Sequence, residues 1–117
     1  MNHNKFISLL LHSRTQAHVY HFITSSYSAH KTLQMYYEGI LPLLDTYTEA
    51  CQGKYGIFKK FTTFPISSSS STTNIIEYFR KLLNSLNSFK IKDTYLKNIY
   101  ESIVELIYRT LYLLNQR

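Results

Sequence analysis

Asp45 and Glu49 stand one helical turn apart and continue a polar stripe begun by Gln34 and Glu38, at spacings of 4, 7 and 4. Two carboxylates at that spacing can chelate a hard or borderline cation, and an imidazole would complete a set suited to iron, manganese or zinc. Imidazoles lie upstream: "HVYHFITSSYSAH" carries His18, His21 and His30. The simpler reading makes the stripe a hydrated helix face and the histidines packing or surface residues. The histidine run alone does not choose between the two.

The elements that position these groups read as helices. With only 3 Gly and 2 Pro in 117 residues, the composition disfavours a turn-rich β fold. A first helix is expected over about residues 4–24, with Phe6, Leu9, Leu10, Ala17, Val19 and Tyr20 among its apolar positions. Ser25 and Ser26 then offer a break and an N-cap for a second, over about residues 27–52, ended by Gly53. Leu33, Tyr37, Ile40, Leu41 and Leu44 give it an apolar stripe, and Pro42 predicts a kink near Glu38 and Gly39.

From about 54 to 73 periodicity is lost, and the serine run 67–71 reads as a flexible crossover loop. A third helix follows from near Thr73, whose hydroxyl can cap it, to Phe89, with Ile75, Ile76, Phe79, Leu82, Leu83 and Leu86 on one face. A fourth, capped by Asp93 or Thr94, reaches about Leu114 on a near-heptad stripe. Its wetter side offers the pairs Lys97–Glu101 and Glu105–Arg109. The expected architecture is one all-α domain over 1–117: a ferritin-like four-helix bundle with a long crossover between helices two and three.

Composition limits the function. The net charge is +6, from 13 basic and 7 acidic residues, but the bases are scattered. Lys54, Lys59 and Lys60 form the densest group and are the candidate contact for nucleic acid or another partner. Eleven Tyr without Trp points to half-buried rings at bundle edges and interfaces. The single Cys51 excludes an internal disulfide and suits a reducing compartment. The longest apolar run, residues 7–11, is too short to span a bilayer, and His12, Ser13 and Arg14 cut off a signal-like start. The chain is expected to be soluble, cytoplasmic and unprocessed. It has no glycine-rich phosphate loop and no nucleophile elbow.

The order His18, His30, Asp45, Glu49, at spacings of 12, 15 and 4, resembles the ferroxidase signature of Dps proteins, the small ferritin-like proteins of starved bacteria. That resemblance implies a homo-oligomer, a dimer or larger, in which His18 and His30 of one subunit meet Asp45 and Glu49 of another around iron. The chemistry implied is oxidation of ferrous iron by peroxide or dioxygen. His21 is then a neighbour of the ligands or a third one, and Glu38 an auxiliary ligand, while His3 and His12 stay surface residues. Val19 stands where Dps proteins have Trp, and "MNHNK" lacks their lysine-rich tail. "HVYH", "SYSAHKTL", "YYEG", "GKYG" and "LKNIYESIVELIYRTLYLL" look like small Dps-like proteins of tailed bacteriophages. This implies a host-cytoplasmic or virion location, and a rival role as a non-catalytic phage structural or host-interaction protein.

Overall fold

A computed structural model describes residues 2–116. Four helices occur, α1 (His3–Ile23), α2 (Tyr27–Tyr55), α3 (Thr72–Asn87) and α4 (Thr94–Leu114), and no strand among the described residues. Hydrogen bonds at the helix starts explain most boundaries. Asn2 accepts from the Lys5 amide at α1, Ser26 from the Ala29 amide at α2, and Ser71 from the Asn74 amide at α3. Thr73 is therefore not the cap of α3, which begins one residue earlier.

The second helix differs from expectation at its C-terminal glycine. It runs through Pro42 as one continuous element and passes Gly53 to end at Gly56. Gly56 has φ 95° and ψ 163°, a region open to almost no other residue, whereas Gly53 sits in the last turn with open space where a Cβ would go. Gly53→Ala should therefore stabilise the chain by about 0.5–1 kcal/mol, and Gly56→Ala should destabilise it by about 1–3 kcal/mol. Urea midpoints of the two variants shifting in the same direction would contradict this assignment.

The four helices share one core. Its seams join α1 to α2, α2 to α4, α4 to α3 and, more thinly, α3 to α1, which leaves α2 and α3 at opposite corners. Tyr36, Tyr47, Phe6 and Phe79 are the largest fully buried side chains. The Tyr36 hydroxyl donates to Ser13 Oγ (2.7 Å), which donates onward to the Leu10 carbonyl (2.7 Å), so this buried phenol is satisfied. Leu41, expected in the core, lies on the outside, while its stripe neighbours Leu33, Ile40 and Leu44 are buried. Arg109, expected beside Glu105, turns its guanidinium to the Met35 thioether of α2 (3.9 Å).

The segment 57–71 joins α2 to α3, and its course follows from four side chains of α1. Asn4 Nδ2 donates to the Lys60 carbonyl (3.0 Å), and Ser8 Oγ accepts from the Thr62 amide (2.9 Å). His12 Nε2 donates to the Pro65 carbonyl (2.9 Å). Gln16 forms a pair with Ser67, its amide donating to the carbonyl (2.9 Å) and its oxygen accepting from the N–H (2.7 Å). The rungs recur every fourth residue of α1, a rise of about 6 Å, while the connector advances two or three extended residues per rung. A segment whose serines predict slackness is thus tied down through Ser67.

Candidate functional site

The histidines gather where α1 hands over to α2. The turn 24–26 reverses the chain, and His21 and His30 stack face to face with ring centroids 3.7 Å apart and planes 19° apart. Their bonds are reciprocal: His21 Nδ1 lies 2.7 Å from the His30 carbonyl, and His30 Nδ1 lies 2.8 Å from the His21 carbonyl. A carbonyl only accepts, so Nδ1 of each ring carries a proton and donates it. In the neutral ring the lone pair is then on Nε2. A backbone carbonyl holding the far nitrogen is the support that metal-ligating imidazoles use.

His18 lies one turn before His21, with ring centroids 6.0 Å apart. Its ring stacks on Tyr37 of α2 (4.2 Å) and on Phe22 (4.5 Å), which fixes its plane. His18 and His30 are half-buried and His21 is buried.

The acids are elsewhere. Asp45 and Glu49 are exposed on α2, as is Glu38, which accepts a hydrogen bond from Gln34 Nε2 (2.9 Å). His30 and Asp45 are on the same helix, and fifteen residues of rise separate them by about 22 Å. One chain therefore brings His18, His21 and His30 together and keeps Asp45 and Glu49 apart from them. Among the described residues, no three His, Cys, Asp or Glu side chains of a single chain are grouped to hold a metal ion. No described helix is long and apolar enough to cross a membrane.

At the opposite end of the bundle, a second polar cluster has no counterpart in the sequence reading. His3 stacks on Tyr55 (5.0 Å) and its Nδ1 is hydrogen-bonded with the Tyr47 hydroxyl (3.3 Å), so it is part of a packed group rather than a surface residue. Asp93 occupies the N-cap position of α4 but makes no cap; its carboxylate instead accepts the Tyr55 hydroxyl. That bond, ahead of burial, pushes the Tyr55 phenol up to about 12. Burial, then the nearby Asp93 charge, pushes the Cys51 thiol up to about 11, which makes it a packing group rather than a nucleophile. His12 is likewise structural, its Nδ1 accepting from Tyr78 (3.1 Å) while Nε2 holds the connector.

Lys54, Lys59 and Lys60 are all exposed at this second end. The structure adds Lys90 and Lys92 across a cleft of about 430 Å³ that also takes in His3, Tyr55 and Phe58. Sequence spacing gave no signal for that meeting. The α2 and α4 ends are brought together only by the fold.

Residues 21–114 match DUF5856, a family of unknown function. The chain belongs to this family. The match starts at His21 and takes in the His30 end of the histidine cluster, both acids and helices α2 to α4. This DUF5856 chain is also 26% identical, over 113 residues, to the uncharacterised 14.6 kDa protein of the mobD-ri intergenic region of Enterobacteria phage T4. That similarity covers 96% of this chain and 87% of the phage protein. No solved structure matches it.

Proposed function

We propose that this DUF5856 chain is a Dps-like homo-oligomer that binds iron between two copies and supports its oxidation. In this reading the α2–α3 connection is a ferritin-like crossover. His18 and His30 of one copy and Asp45 and Glu49 of the other are the ligands. The observation that carries it is the His30 ring: its Nδ1 is committed to the His21 carbonyl, which leaves Nε2 for a ligand that its own chain does not provide. His21 thus acts as the backbone support of His30, and Glu38 as an auxiliary carboxylate.

The spacing also sets where the copies would meet. If His30 reaches the partner's Asp45–Glu49 turn in a two-fold arrangement, the axis crosses α2 midway, beside Glu38. The outer faces of α1 and α2 carry apolar residues suited to such a contact: Leu11, Phe22, Tyr27 and Leu41 are all at least a third exposed. A set of carboxylates and imidazoles suits iron, zinc or manganese, and the carboxylates favour the ferric product once iron is oxidised. Removal of ferrous iron and oxidant would protect nearby nucleic acid.

The test is metal content and ferrous oxidation of the purified oligomer, compared with His30→Ala combined with Asp45→Ala. The wild type should retain iron and oxidise it, and the double variant should lose both with its helical content unchanged. No bound metal, together with no difference in oxidation, sinks the proposal. That result would favour the second reading, motivated by the T4 relative, of a non-catalytic phage structural or host-interaction protein.

A further inference from the structure

Three segments far apart in sequence meet at the end of the bundle opposite the histidines. Residues 2–5, 54–60 and 90–97 contain Lys5, Lys54, Lys59, Lys60, Lys90, Lys92 and Lys97, all exposed, against one carboxylate, Asp93. That places seven of the 13 basic residues on one end, and the single acid is engaged by the Tyr55 hydroxyl. A concentrated positive potential of this kind draws in phosphate groups.

The centre of the patch is concave. Its cleft, about 430 Å³, has a volume ordinary for a small-molecule site. One wall is aromatic and already fixed: Tyr55 is tied to Asp93 and stacked on His3, which is itself bonded to Tyr47. Tyr55 still leaves half its surface exposed, and Phe58 stands beside it. Lys90, Lys92, Asn2 and Asn4 complete the lining. An aromatic face beside two cations matches a flat base carrying a phosphate, and a wall ordered in advance lowers the cost of binding.

We propose that this cleft is a nucleotide-phosphate site, with the phosphate held by Lys90 and Lys92 and the base laid against Tyr55. The ligand is either a free nucleotide or one unit of a single strand, with the outer lysines following the backbone in the second case. None of these residues belongs to the proposed metal site.

The experiment measures fluorescence anisotropy of labelled ATP and of labelled oligo-dT at low salt. The wild type is compared with Lys90→Gln plus Lys92→Gln, and with Arg80→Gln plus Lys81→Gln on the exposed face of α3 as an equal change of charge. Wild type should bind at least one probe. The cleft variant should weaken that binding on the order of tenfold or more, and for oligo-dT should reduce the salt slope by about 1.4. The α3 variant should match wild type. Binding of ATP alone identifies a free nucleotide as the ligand; binding of oligo-dT identifies a strand. The proposal is overturned if neither probe binds, or if the α3 variant loses as much affinity as the cleft variant.

Discussion

Replacing Phe79 by alanine should cost about 3–5 kcal/mol and bring the chain close to its unfolding threshold. Phe79 is fully buried, and its ring meets Tyr36 edge-on with centroids 4.9 Å apart. Tyr36 is in turn locked through its hydroxyl to Ser13 and so to α1. Phe79 is therefore the point at which α3, a short helix that packs thinly on α1, grips the α1–α2 half of the core. Cutting the ring back leaves a cavity that fixed neighbours cannot close. Urea unfolding should show the loss, and hydrogen exchange should show α3 opening first. Tyr36→Phe keeps the ring and removes only the hydroxyl contact, so it should cost about 1 kcal/mol. A Phe79→Ala loss no greater than that of Tyr36→Phe would contradict the central position given to this ring.

Gln16→Ala should cost about 2–3 kcal/mol and release the connector near Ser67. Gln16 is 1% exposed, yet it makes both a donor and an acceptor bond to the Ser67 backbone. Its removal ends two bonds, each worth about 0.5–1.5 kcal/mol net, and leaves a gap beside α1. The four rungs should not be equivalent. Asn4 bonds Lys60 at the exposed end, where water can substitute, so Asn4→Ala should change stability by less than about 0.5 kcal/mol. Limited proteolysis should therefore cut Gln16→Ala within 66–71 and leave Asn4→Ala intact. Equal resistance of the two variants would show that burial does not grade the rungs.

The helices were legible in the sequence where one apolar face meets one core. Ile75, Phe79, Leu82, Leu83 and Leu86 on α3 are all buried as the periodicity required, as are Leu96, Ile103, Leu106 and Ile107 on α4. α1 was harder to read because it is covered on several sides, so Ser8, Ser13 and Gln16 are buried with its apolar residues. Their polarity serves bonds to the connector, to Tyr36 and to the helix itself, which no local pattern announces. That α2 ends at Gly56 rather than at Gly53 rests on a dihedral angle, which composition does not contain. The turn at Ser25 and Ser26 that brings the histidine-bearing ends together was legible, but the reciprocal bonding of His21 with His30 was not, since it depends on ring placement across that turn. Nor was the lysine cleft, since Tyr55 at the end of α2 and Lys90 and Lys92 before α4 come to line one cleft only through the packing of the helices.

The connector divides into a ruler and a slack end. From Lys60 to Ser67 its length is matched to the rise of α1, so one inserted residue would put every later rung out of phase. Beyond Ser67 its bonds are local, from the Ser69 amide to Ser67, from the Ser71 amide to Ser69, and from the Asn74 side chain to Ser69. Changes of chain length within the family are therefore expected to collect at residues 68–70, which is also where a tag or a guest peptide can be spliced in without disturbing either end of the bundle.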